Sequence, residues 1–123
     1  DSGTTAFLVI KNDTLIYEKY FHDYNRESIN TSFSVAKSIT SLLIGKAVDE
    51  GHIQSIHAAV TDYFPELLKR DPTYSKVTIS HLLNMRSGIQ FKDHDLPWGD
   101  KPKAYYFPRL RERVLELPLD FEP

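Results

Sequence analysis

Four consecutive residues, Ser34-Val35-Ala36-Lys37, place a hydroxyl and an amine three positions apart. Residues i and i+3 share one face of a helix, so the amine of such a pair can reach the hydroxyl. A serine hydroxyl is a poor nucleophile until a neighbouring base takes its proton. The spacing therefore predicts an acyl-transfer site in which Ser34 attacks and Lys37 accepts the proton.

This chemistry requires particular surroundings. A lysine accepts a proton only when neutral, and burial or the positive end of a helix dipole lowers a lysine pKa in that direction. The same helix start would hold the backbone N–H of Ser34 near a developing oxyanion. The alternative is ordinary, because a serine near a helix start is more often a cap and a helical lysine more often points to water. The tetrad alone leaves both interpretations open.

The elements around the tetrad follow from hydrophobic spacing. From about Val35 to Glu50, apolar residues recur every three or four positions, which predicts an amphipathic helix ending at Gly51. Upstream, two strand-like runs flank the turn residues Asn12-Asp13 and predict a β-hairpin. The runs are Ala6-Phe7-Leu8-Val9-Ile10 and Leu15-Ile16-Tyr17-Glu18-Lys19-Tyr20-Phe21.

The later part of the chain predicts shorter elements. Residues 60–67 suggest a loop with one helical turn, and Thr78 caps a short helix that stops at Ser87-Gly88. The segment Gln90 to Pro108 holds three prolines and many polar residues, so little regular structure is expected there. A last helix is predicted for Arg109 to Leu117.

Composition excludes several classes of function. The 123 residues are 41% hydrophobic and 26% charged with a formal net charge of -2, which is typical of one globular domain. A net charge this close to zero does not indicate the basic surface that binds nucleic acid or an anionic membrane. There is no cysteine, and no apolar run approaches the roughly 18 residues of a membrane span.

Two further groups of side chains invite a binding role. Five histidines and the triplet Asp93-His94-Asp95 suggest metal binding, but no two histidines stand four apart and no second ligand group is evident, so no metal site is predicted. Trp98, with Tyr105 and Tyr106, lies in the proline-rich segment. Packing of a long loop is the ordinary interpretation of these aromatic residues.

Three ordered motifs carry a family resemblance. Residues 31–45, Thr-Ser-Phe-Ser-Val-Ala-Lys-Ser-Ile-Thr-Ser-Leu-Leu-Ile-Gly, resemble the first motif of serine β-lactamase-related and penicillin-binding-protein-like hydrolases. The similarity is strongest to the class C-like branch, with esterases, D-amino peptidases and nylon-oligomer hydrolases. Two further stretches match in order, Val60-Thr61-Asp62-Tyr63-Phe64-Pro65-Glu66-Leu67 and Val77-Thr78-Ile79-Ser80-His81-Leu82-Leu83-Asn84-Met85-Arg86-Ser87-Gly88-Ile89.

The resemblance implies an α/β (α+β) fold of the β-lactamase/DD-peptidase type, here in part. Residues 1–123 would form the N-terminal portion of one domain, namely the hairpin of the antiparallel sheet, the nucleophile helix and part of the helical lobe. A Tyr-x-Asn and a Lys/His-Thr/Ser-Gly motif would follow in the missing C-terminal half, possibly a separate chain. Ser28-Ile29-Asn30 matches the Ser-x-Asn form of the Tyr-x-Asn motif, but it precedes the nucleophile and is therefore in the wrong order.

The resemblance also implies a function. It points to a serine hydrolase that cleaves an amide, ester or β-lactam bond of a small molecule or peptide through an acyl-enzyme, without cofactor. Ser34 and Lys37 would be catalytic, Trp98 would border the substrate cleft, and His81 would be a packed, hydrogen-bonded residue at a helix start. The fragment alone is expected to be inactive. The alternative is a non-catalytic penicillin-binding-like sensor or binding domain of the same fold. The resemblance also implies a periplasmic, cell-envelope or secreted location.

Overall fold

The computed structural model describes residues 3–94, 96, 98–106 and 108–123. The chain divides into two compact units, residues 1–36 and residues 37–123. The first unit contains strands β1 (Ala6–Lys11) and β2 (Thr14–Tyr20), paired antiparallel. Helix α1 (Val35–Asp49) begins at the end of this unit and continues in the second.

The β-hairpin confirms the sequence prediction, and the conformation of its turn explains why the two strands pair. Asn12 and Asp13 have positive φ angles of 50° and 58°, the two-residue conformation whose twist matches that of paired strands. Phe7 and Leu8 are neighbours on β1, so they point to opposite faces, yet they are 54% and 48% exposed. Large apolar side chains are therefore exposed on both faces of the hairpin.

Helix α1 also confirms its prediction, including its end. Gly51 has a φ of 75° and donates to Val48, while the His52 N–H donates to the Ala47 carbonyl. These two bonds form the Schellman arrangement that satisfies the last carbonyls of a helix. Within the part of the chain that the structure describes, α1 buries none of its residues, and Leu42 and Leu43 are 70% and 61% exposed.

The second unit is built from short helices. They are a 3-10 turn at Val60–Asp62, α2 (Glu66–Arg70), a 3-10 turn at Pro72–Lys76, α3 (Ile79–Leu83), α4 (Asp100–Tyr106) and α5 (Leu110–Leu115). Their core contains two fully buried side chains, Tyr74 and Val77, with Val60 and Leu67 beside them. Ile89, Leu115 and Leu119 pack against this core, so the segments around α3 and α5 share it.

One expectation was wrong. The segment Gln90 to Pro108 was predicted to hold little regular structure, but α4 occupies residues 100–106. Pro102 is the third residue of α4, where a missing N–H costs nothing because first-turn N–H groups have no intrahelical partner. Residues 95, 97 and 107 of this segment lie outside the described residues. The last predicted helix is present and spans Leu110–Leu115.

None of the helices formed by the described residues is long and apolar enough to cross a bilayer.

Candidate active site

Ser34 lies in a turn directly before the first residue of α1 and is exposed. The turn is defined by two backbone hydrogen bonds, from Val35 N–H to the Ser32 carbonyl at 3.1 Å and from Ala36 N–H to the Phe33 carbonyl at 3.2 Å. The sequence predicted this position, because the apolar period begins at Val35. Ser34 is thus presented at the mouth of the longest helix among the described residues.

Phe33, the residue before Ser34, has an unusual backbone conformation. Its φ is 44°, a left-handed value that costs a bulky residue about 1–2 kcal/mol. The side chain is 70% exposed, so burial of the ring does not offset this cost. Such backbone strain concentrates at functional sites. Nothing in the residue types signalled the strain, since glycine or asparagine is the usual occupant of this conformation.

Lys37 is the third residue of α1 and is exposed. It lines an open groove of about 560 Å³ within the second unit. The groove runs between α1 and the turns that follow it, and its walls are mainly apolar. The other lining residues are Thr40, Ser41, Ile44, Ile53, Val60, Tyr63, Phe64, Ile79, Leu82, Leu83 and Met85.

Trp98 lies two residues before α4 and is 66% exposed. It does not line the groove beside Lys37. Tyr105 and Tyr106 are also exposed, and their ring centroids lie 6.4 Å apart. Both interpretations of Trp98, loop packing and a border of the substrate cleft, stay predictions.

Asp100, at the start of α4, is a buried charged residue that the sequence analysis missed. Its carboxylate accepts hydrogen bonds from the Lys92 backbone N–H at 3.0 Å and from Arg113 Nη2 at 2.8 Å. The Lys92 hydrogen bond and the Arg113 guanidinium lower the pKa of Asp100, against the opposing effect of burial. The signal that could have found it is an aspartate at the start of a helix, directly after Gly99. The three prolines of this segment were taken to exclude a helix there.

His81 has the structural role that the resemblance implied. Its Nδ1 accepts a hydrogen bond from the Thr78 N–H at 3.3 Å, and its own N–H donates to Thr78 Oγ1 at 3.2 Å. This reciprocal pair is a capping box, in which histidine replaces the usual Glu or Gln. His81 therefore stabilises the start of α3.

Among residues 3–94, 96, 98–106 and 108–123, no three His, Asp or Glu side chains lie close enough together to hold a metal ion. Asp95, the third member of the Asp93-His94-Asp95 triplet, lies outside the described residues.

Comparison with known proteins assigns the family. The family model described as Beta-lactamase matches residues 2–123, so this chain belongs to the Beta-lactamase family. The three motifs named from the sequence all fall within the matched region.

Two curated relatives are hydrolases by name. The chain is 29% identical over 93 residues to a 6-aminohexanoate-dimer hydrolase from Paenarthrobacter ureafaciens, covering 76% of this chain and 23% of that protein. It is 34% identical over 55 residues to a probable hydrolase from Cochliobolus lunatus, covering 45% of this chain and 9% of that protein. The chain thus spans less than a quarter of either relative. The family and these names support hydrolase activity at the family level.

Proposed function

We propose that this chain carries the nucleophile of a serine hydrolase that cleaves an amide, ester or β-lactam bond through an acyl-enzyme. Ser34 attacks the carbonyl carbon, and Lys37 takes the hydroxyl proton. The scissile C–N or C–O bond then breaks, and the leaving nitrogen or oxygen receives that proton from Lys37. The resulting acyl-Ser34 ester is then hydrolysed by water, which regenerates the free hydroxyl.

The position of Ser34 carries this proposal. It directly precedes Val35, the first residue of α1, so its backbone N–H lies at the positive end of a helix of 15 residues. An N–H at that position can stabilise the negative charge that develops on an attacked carbonyl oxygen. The left-handed Phe33 adds support, because backbone strain next to a hydroxyl is typical of a functional turn rather than of a simple cap.

Lys37 is proposed as the base because it comes one helical turn after Ser34. Lys46 offers a matched control on the same helix, since its side chain is 67% exposed and pairs with Glu50. Substitution of Lys37 by Arg keeps a positive charge but removes a group that can become neutral. We expect Lys37→Arg to abolish turnover and Lys46→Arg to preserve it.

We further propose that activity requires polypeptide packed on α1 and on the hairpin. Ile39, Leu42 and Leu43 on α1 are more than half exposed, and both hairpin faces carry exposed apolar side chains. A complete domain would bury such surfaces, because exposed apolar patches of this extent mark interfaces. The enzyme to be assayed is accordingly the complete polypeptide that contains this chain.

The test is hydrolysis of p-nitrophenyl acetate and of a chromogenic cephalosporin by the complete protein and its variants. Ser34→Ala and Ser34→Asn should both lose activity, although asparagine is a good helix cap and would preserve a purely capping role. Ser32→Ala, in the same turn, should retain activity. Stoichiometric acylation without product release would instead indicate the sensor function.

A further inference from the structure

A second groove lies within the second unit, between α5 and residues 60–67, and is called the α5 groove below. Its volume is about 370 Å³, and small-molecule sites usually have volumes of about 300–1,000 Å³. The lining includes three buried core residues and three side chains that are 39–46% exposed, namely Val60, Leu67 and Tyr74, then Phe64, Leu110 and Val114. The groove therefore opens the apolar core of this unit to solvent.

Arg111 bridges the two sides of the α5 groove. Among the described residues that line the groove, Arg111 alone is charged. Its Cζ lies 5.6 Å from the centroid of the Phe64 ring, and its Nη2 donates to Glu66 Oε1 at 2.7 Å. Arg111 belongs to α5, whereas Phe64 and Glu66 belong to the opposite side. Because the Arg111 side chain is 68% exposed, the guanidinium lies at the mouth of the groove.

A guanidinium in this position is suited to bind a carboxylate. It has five N–H donors in a planar fork, and the bond to Glu66 is made by Nη2, so the group can bind a second carboxylate or exchange one for another. The exchange costs little, because an exposed ion pair such as Arg111–Glu66 adds little stability. The groove thus offers one cation beside an apolar floor.

We propose that the α5 groove binds a free monocarboxylate with an unbranched aliphatic chain, such as octanoate. The carboxylate binds Arg111, and the chain lies on the core residues below, where each methylene leaves water. This site goes beyond the proposed hydrolysis, because neither Ser34 nor Lys37 lines the groove.

The first test is isothermal titration calorimetry of octanoate with the complete protein. We expect a stoichiometry of one and about tenfold weaker binding in Arg111→Gln, which loses a charged hydrogen bond. Arg109→Gln is the matched control, because Arg109 is 70% exposed, pairs with Glu112 and does not line the groove. It should leave the affinity unchanged.

The two parts of the ligand are tested separately. Hexanoate, which has two methylenes fewer, should bind about tenfold more weakly than octanoate. Octanol keeps the chain without the charge, so it should bind more weakly than octanoate and equally well to wild type and to Arg111→Gln.

Glu66→Gln should change the affinity in the opposite direction. The pKa of Glu66 is lowered by its own backbone N–H and by Arg111, so Glu66 is ionised at neutral pH and competes with the ligand for Arg111. Removal of this competitor should tighten octanoate binding about twofold or more. General damage to the groove would instead weaken binding in both the Glu66 and the Arg111 variant, and that result would overturn the proposal.

Nuclear magnetic resonance locates the ligand. In methyl-labelled complete protein, the Val114 resonances are assigned by their loss in Val114→Ile, and they should show nuclear Overhauser effects to the octanoate chain. Binding without these effects, or binding that Arg111→Gln does not weaken, would place the ligand elsewhere and overturn the proposal. Absence of binding would also overturn it, and would indicate that other polypeptide covers the groove in the complete protein.

Discussion

The Tyr74 hydroxyl donates a hydrogen bond of 2.5 Å to the Leu117 carbonyl oxygen, across 43 residues of sequence. Both residues are buried, and burial raises the pKa of Tyr74. The bond joins the 3-10 turn at Pro72–Lys76 to the chain that leaves α5. Arg113, the partner of Asp100, lies on the same α5 helix, so α5 contacts both the core, through Leu115, and the start of α4.

Tyr74→Phe should therefore lower the free energy of unfolding by about 1–2 kcal/mol, since the Leu117 carbonyl loses its buried donor. Urea unfolding monitored by far-UV circular dichroism measures the change. Tyr106→Phe is the control, because Tyr106 is 87% exposed and should give no change. Equal stability of both variants would contradict the account.

Gly88→Ala should be strongly destabilising, by about 3 kcal/mol or more, because two costs combine. Gly88 has a φ of 71°, and a β-carbon there would lie 2.1 Å from the Phe121 carbonyl oxygen. The Asp120 N–H donates to the Gly88 carbonyl in the same place, so the chain cannot move away without losing that bond.

Gly51→Ala separates these costs, because Gly51 has a φ of 75° but open space around its built β-carbon. It should lose about 1 kcal/mol from backbone conformation alone. Thermal unfolding of the two variants checks the difference, and a Gly88→Ala variant no worse than Gly51→Ala would show that the Phe121 contact relaxes freely.

Stability should fall at low pH partly through Asp100. Its pKa in the folded protein is below the ordinary 3.8, so the unfolded state binds more protons. The stabilisation is complete above about pH 4 and is lost as pH falls through the folded-state pKa. Asp100→Asn should show a shallower decline than wild type in this window. Asp71 and Glu66, whose pKa values are also lowered, remain in both proteins and cancel in the comparison.

Leu42→Ala tests whether further polypeptide covers α1. Leu42 is 70% exposed in this structure, where its loss should cost little. In the complete protein we expect a loss of about 2–5 kcal/mol, the usual range for a buried leucine. Lys46→Ala on the same helix should cost under about 0.5 kcal/mol. Similar small effects of both substitutions would argue that α1 stays exposed.

Local sequence rules predicted the elements that local interactions determine. The Asn12-Asp13 turn determines the hairpin, and the apolar period with Gly51 determines α1 and its end. The candidate nucleophile followed from the same reasoning, because Ser34 stands where that period begins. The Thr78 cap was likewise predictable, and the resemblance supplied the role of His81.

Features that depend on distant residues were not predictable in this way. The burial of Asp100 requires Arg113, which comes 13 residues later and approaches only when α5 packs. The left-handed Phe33 contradicts its own local preference, so no propensity rule could find it. Helix α4 was missed because a proline was counted as a breaker without regard to its position in the first turn.

The central claim is that Ser34 is the acylated residue, and peptide mapping tests it most directly. The complete protein is treated with a fluorophosphonate, digested and sequenced by mass spectrometry, beside Lys37→Arg and Ser34→Asn variants. The account predicts one adduct, on Ser34, that is lost in Ser34→Asn and strongly slowed in Lys37→Arg. An adduct on another serine, or unchanged labelling of the Ser34→Asn variant, would contradict it.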